Sequence, residues 1–173
     1  MEPDELTELA EKARSKRERT IGLTMAVTAA LLASATLMGH RLHTEETVQQ
    51  TKLADAWAYY QAKNNRYHMY LADARLAELF GPSGASLGKE WRRKAEQEQA
   101  EADAVRRDAE KLDEETRNIA RRATFFDASE ISLEVAIVLC SVALLTGGLA
   151  FWRVSFLPAA AGVAVAAVGL LWR

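Results

Sequence analysis

The chain carries one cysteine, three prolines and nine glycines in 173 residues. With Cys140 as its only thiol, no intrachain disulfide can form and the redox compartment stays open. Cys140 lies inside an apolar run, where a small core residue is the simplest reading. So few prolines leave long stretches free of helix breakers. Aromatic residues make up 8% of the chain, and 22 Lys and Arg are offset by 24 Asp and Glu, for a net charge of −2. No basic stripe remains to follow a phosphate backbone, so nucleic acid is excluded as the expected partner. The glycines form no phosphate-binding loop, and no nucleophile, base and orienting group fall into a known catalytic spacing. The sequence therefore predicts a non-enzymatic protein with no cofactor.

Against these absences stand three runs without a charge: Ile21 to Gly39, Val135 to Trp152 and Val154 to Trp172. A hydrocarbon core ~30 Å thick needs ~20 apolar residues at 1.5 Å rise. Each run has the length to cross it. Lys12 to Arg19 ahead of the first run, and Ala33-Ser34-Ala35 within it, imitate a cleaved signal. The run exceeds the ~7–15 residues of a signal core, so a retained anchor is expected.

Between the first and second runs, Arg41 to Glu130 holds 15 Lys/Arg and 17 Asp/Glu. Leu53, Trp57, Tyr60, Asn64, Tyr67, Leu71 and Ala74 follow in steps of four and three. That is the period of a coiled-coil seam, and Asn64 is its polar member, suited to fixing register or oligomer state. Gly81-Pro82-Ser83-Gly84 is the sharpest break in the chain. A second seam then runs Trp91, Ala95, Glu98, Ala102, Val105, Ala109, Leu112, Thr116, Ile119, Ala123 and Phe126. It continues in phase through Glu130, Leu133, Ile137, Cys140 and Leu144. Asp127 with Glu130 resembles a capping box, which would instead start a new helix there.

The predicted fold is an all-α membrane protein. An N-terminal amphipathic helix spans 1–20, with Leu6, Leu9, Ala10 and Ala13 as its apolar face. The transmembrane helices cover 21–40, 131–152 and 154–172. An antiparallel, coiled-coil-like helical hairpin covers 41–130, with its turn at 81–88. Its first helix, of ~37 residues, would reach ~55 Å from the membrane. Alanine seams bury little area each, so burial against neighbouring subunits is expected. Ala160/Ala164 and Gly162/Ala166 are small-residue pairs suited to helix association in lipid. Pro158 falls in the first turn of the third run, and Trp152 and Trp172 mark its ends as interfacial anchors.

Ionisable groups are few near the membrane. Glu134, about a turn inside the second run, is expected to face the bundle interior or water, with His40 and Arg41 as partners. It would pair with Arg41 or reach out to the interface; lining an ion path in an oligomer is the alternative. No metal site is expected. His40, His43 and Glu46 come nearest to a ligand set, since two imidazoles three residues apart share a helical face. Trp57, Tyr60, Asn64, Tyr67 and Trp91 are the residues expected to pack the stalk and set its register. Gln61 and Lys63 fall off the seam; packing is the role expected of this stretch, and a subunit or ligand contact by Gln61, Lys63 and Arg66 is the alternative.

Ala54-Asp55-Ala56-Trp57-Ala58-Tyr59-Tyr60-Gln61-Ala62-Lys63 and Leu133-Glu134-Val135-Ala136-Ile137-Val138-Leu139 carry a resemblance to a known family. The chain resembles the bacterial domain of unknown function 4337 family over nearly its whole length. The resemblance implies one N-terminal span, a charged helical middle and two C-terminal spans. The function expected is a homo-oligomeric scaffold of the bacterial inner membrane. Its partners would be itself, the lipid bilayer and an unidentified protein at the stalk. The alternative is an oligomeric ion channel or transporter with Glu134 near the pore mouth. Arg14, Lys16, Arg17 and Arg19 against Arg41 favour a cytoplasmic N-terminus with the stalk outside; Arg117, Arg121 and Arg122 against Arg153 pull the other way, and the first span is taken to dominate.

Overall fold

The computed structural model describes residues 3–172. The side chains of residues 3–7, 9, 10 and 13 lie outside the described set, and with them the apolar face predicted at Leu6, Leu9, Ala10 and Ala13. The chain is all-helical: α1 is Pro3–Glu78, α2 is Ala85–Thr146 and α3 is Leu149–Leu171. A single 3₁₀ turn, Gly81–Ser83, separates α1 from α2. Each of the three helices contains a window long and apolar enough to cross a membrane.

An expected boundary near residue 20 and the alternative one at Asp127 are both absent. The helix predicted at 1–20 is not separate from the first apolar run, because α1 continues through both without a break. Asp127 and Glu130 do not begin a helix either, since α2 passes through them. Nothing there interrupts the backbone ladder: neither Pro nor Gly occurs between Lys89 and Thr146.

A third boundary moves. The turn between the second and third apolar runs falls at Gly147-Gly148, not at Arg153. Gly147 sits at φ +66°, a left-handed conformation that side-chain-bearing residues avoid. Glycine carries no charge, so the break is hidden inside an apolar run, whereas Arg153 merely looks like an edge. Pro158 consequently lies in the interior of α3 rather than in its first turn. There it leaves the Val154 carbonyl without its helical donor.

The chain divides into two units, residues 1–44 with 119–173, and residues 45–118. In the first, Ala35, Leu42, Ala123, Phe126 and Leu133 form one buried cluster, with Ile119, Met38 and Ala166 packed against it. Ile21, Cys140 and Ala143 form a second, flanked by Met25, Leu144 and Trp152. α3 buries Ser155, Gly162 and Gly169, spaced by seven. A Cβ on Gly162 would stand 2.9 Å from Leu133 Cγ and 3.1 Å from the Ser129 carbonyl oxygen. Glycine is thus what lets α3 lie directly on α2. Of the predicted small-residue pairs, Gly162/Ala166 faces α2, while Ala160 and Ala164 are exposed.

In the second unit the predicted seams are the packed faces. Ala74, Ala95, Ala102 and Ala109 are buried. Leu53, Trp57, Tyr60, Asn64, Tyr67, Leu71, Trp91, Glu98, Val105 and Leu112 are half-buried. Trp57 and Tyr60 meet edge to face with centroids 5.7 Å apart. Small side chains on α2 allow the close approach, and the aromatics of α1 fill what remains.

Candidate functional site

α2 brings Asp127, Ile131, Glu134 and Val138 onto one stripe beside the seam, in steps of four and three. At its upper end Asp127 meets α1: His43 Nε2 lies 3.0 Å from Oδ1 and 3.2 Å from Oδ2. On the seam, Thr36 Oγ1 donates to Glu130 Oε1 at 2.9 Å. These two polar contacts tie α1 to α2 at this end of the first unit.

Glu134 is exposed, as are Ile131, Val135 and Val138 around it. It does not face the interior of the helix bundle. Arg41 and His40 are exposed too, and no ion pair joins either to Glu134 among the described residues. The reason lies in the helical phase: Glu130, not Glu134, occupies the seam position that α1 reaches. His43 is drawn to Asp127, and Glu46 accepts a hydrogen bond from Gln50 Nε2 at 2.9 Å. Among the described residues no group of three or more His, Cys, Asp or Glu side chains could hold a metal ion. Cys140 is buried, and its thiol donates to Ser155 Oγ at 3.2 Å.

Lys63 is the functional-looking residue that sequence reasoning misplaced. Expected off the seam, it is buried, with its ammonium between Glu98 and Glu101. The Lys63 Nζ to Glu98 Oε2 distance is 3.0 Å, and Arg66 approaches the other Glu98 oxygen at 3.6 Å. The hydrogen bond to Glu101, then that to Glu98, holds the Lys63 ammonium above its ordinary 10.5. Lys63 in turn holds the Glu101 carboxyl below its ordinary 4.5, aided by Gln97. The signal that could have found it is Glu98 itself: a carboxylate on a buried seam demands a cation opposite. Asn64, the predicted polar member, is only half-buried beside it. Further along, Arg92 pairs with Glu78 and Lys94 lies 6.0 Å from the Tyr70 ring centroid.

α1 and α3 leave two adjoining apolar clefts between them on the first unit. One, of about 680 Å³, runs from Leu23 and Ala160 to Leu31. The other, of about 260 Å³, continues past Leu31 to Met38, Phe126 and Leu170. Leu31, Val163 and Ala167 line both. Trp152 closes the far end: its Nε1 donates to Thr24 Oγ1 at 3.3 Å. That indole is turned into the helix bundle, so it is not the free interfacial anchor expected of it.

These features define a class: an all-helical chain of three long helices, each with an apolar window, two of which also supply a charged helical unit. A family model described as "Domain of unknown function (DUF4337)" matches residues 17–172, and the chain belongs to that family. No curated protein and no solved structure matches the chain.

Proposed function

We propose that this is a multi-pass integral membrane protein that assembles with copies of itself and performs no catalysis. The observation that carries the reading is how little of the apolar helices the chain covers by itself. Only 17%, 28% and 17% of the three apolar windows is buried within the chain. Leu23, Val27, Ile131, Val138, Leu157 and Leu170 are among the apolar side chains left exposed. Surface of that extent is stable only against lipid or another protein.

On this reading residues 45–118 form an antiparallel helical hairpin outside the bilayer. The pairing of Lys63 with Glu98 and Glu101, and of Glu78 with Arg92, supports it, because partners further along α1 meet partners earlier along α2. The basic residues 14–19 favour a cytoplasmic N-terminus and an external hairpin, in a bacterial inner membrane. The hairpin is the part suited to organising a protein partner.

Glu134 favours a second reading. A carboxylate exposed on an apolar stripe is costly in lipid, and a ring of them around the axis of an oligomer would give it water. The assembly then conducts cations.

Crosslinking in native membranes tests the first reading, which expects one discrete oligomer resistant to alkaline carbonate extraction. A monomer, or extraction by carbonate, overturns it. Planar-bilayer recording tests the second: conductance whose cation selectivity falls in Glu134→Gln supports it, and silence under voltage, tension and pH change removes it. Membrane-impermeant labelling of Ser83→Cys in a Cys140→Ala background reports the side on which the hairpin lies.

A further inference from the structure

Beyond the Met38 end of the narrower cleft between α1 and α3 stand two arginines. Met38 of α1 and Phe126 of α2 line the narrower cleft. Arg41 follows Met38 by three residues, and Arg122 precedes Phe126 by four, so each stands one turn beyond the cleft on the face that lines it. Leu42 and Ala123, their chain neighbours, share one buried cluster, which places the two turns at the same end. Arg122 is half-buried and reaches the Gly169 carbonyl oxygen, at 3.4 Å. Neither guanidinium has an ion-pair partner among the described residues. The carboxylates nearest in sequence on α2 are engaged elsewhere, Asp127 by His43 and Glu130 by Thr36. Trp172 meets Phe125 at a tilt at this same end, with centroids 5.5 Å apart.

The wall of the narrow cleft holds one more unsatisfied group. Ser129 is fully buried, and its Oγ has no hydrogen-bond partner among the described residues. It follows Arg122 by seven residues, two turns along the same face of α2.

The chemistry of the cleft decides between occupants: its lining is apolar along its length and two arginines stand beyond one end, a pattern that matches acyl chains carrying an anionic headgroup. Its wider continuation toward Leu23 prolongs the same path.

We propose that this furrow is a binding site for an anionic phospholipid, with acyl chains between α1 and α3 and the phosphate between Arg41 and Arg122. Ser129 donates to the glycerol ester oxygens on the way. The inference rests on the membrane reading above and adds a ligand class to it. A basic pocket between apolar helices recognises an anionic headgroup by charge, and each arginine is worth about fivefold in preference.

The test is native mass spectrometry of the detergent-solubilised full chain, offered equal amounts of phosphatidylglycerol and phosphatidylcholine with identical oleoyl chains. The wild type should retain phosphatidylglycerol about twenty-five-fold over phosphatidylcholine. Arg41→Gln with Arg122→Gln should bring the two lipids level, and Ala167→Trp, which fills the furrow, should lose both adducts. Should the double variant not fold, Arg122→Gln alone is expected to lower the preference about fivefold. Equal retention by the wild type, or a preference that survives these substitutions, overturns the proposal. So does displacement of the lipid by glycerol phosphate, which would make the site one for soluble phosphate. A changed oligomer number in Ala167→Trp with adducts intact would assign the furrow to a second copy instead. Release by alkaline carbonate would strike down the membrane reading; retention in the membrane without lipid preference strikes down this inference alone.

Discussion

Lys63 and Glu98 meet 3.0 Å apart across a seam lined by buried alanines. Replacing Lys63 with Ala leaves Glu98 in that seam with only Arg66 nearby, at 3.6 Å. A buried carboxylate stripped of its cation is the costlier outcome, whereas replacing both partners with apolar groups removes the problem. Thermal melts followed by circular dichroism should therefore show Lys63→Ala well below wild type and Lys63→Met/Glu98→Leu closer to it. Asn64→Leu, at a half-buried position, should move the midpoint less than Lys63→Ala. The reverse order would return the register-setting role to Asn64.

The same cluster has a defined pH window. Lys63 is raised above 10.5 in the folded chain, so its contribution is complete below 10.5 and is lost as pH rises through the raised value. Glu101 is held below 4.5, so its contribution is complete above 4.5 and disappears as pH falls through the lowered value. The stability difference between wild type and Glu101→Gln should be flat between those limits. It should shrink in acid, where the protonated wild-type carboxyl comes to resemble the amide. Chemical denaturation over a pH series checks this, and a difference that grows on acidification contradicts it.

Gly84 closes the turn between α1 and α2, and its amide donates to the Gly81 carbonyl at 3.1 Å. A Cβ there would run into the Ala77 carbonyl oxygen, a backbone atom that cannot swing away. Gly84→Ala should cost about 1–3 kcal/mol, as overpacking does. A denaturation midpoint equal to wild type would show that the turn relaxes freely.

Two glycines in the apolar helices should respond in opposite directions. Gly162→Ala drives a methyl to within 2.9 Å of Leu133 Cγ and 3.1 Å of the Ser129 carbonyl oxygen, and about 1–3 kcal/mol of destabilisation is expected. A methyl added at Gly22 would meet nothing within 4 Å, so Gly22→Ala should instead gain about 0.5–1 kcal/mol from helix propensity. Melting both variants in one detergent separates contact from propensity. Equal shifts would mean that α3 does not need Gly162 for its contact with α2.

Much of this protein is written in its sequence, because helical period and apolar length are local properties. The seam from Trp91 to Leu144 needs only a step of four and three to be read, and every one of its positions is buried or half-buried. The length and apolarity of the three long helices, and the turn at Gly81–Ser83, follow in the same way from composition. The break at Gly147 does not, since an uncharged left-handed glycine leaves no mark on a hydropathy pattern.

Pairing across helices was decided only by the tertiary structure. Whether Lys63 or Asn64 enters the seam turns on a rotation of one residue, about 100° around the helix axis, and whether Glu130 or Glu134 meets α1 turns on about 40° and one turn of rise. Periodicity tolerates that error; a carboxylate facing its partner does not. The furrow between α1 and α3 has the same origin. It exists because Gly162 and Gly169 bring α3 onto α2 and leave it apart from α1, a choice of neighbour that no single helix encodes.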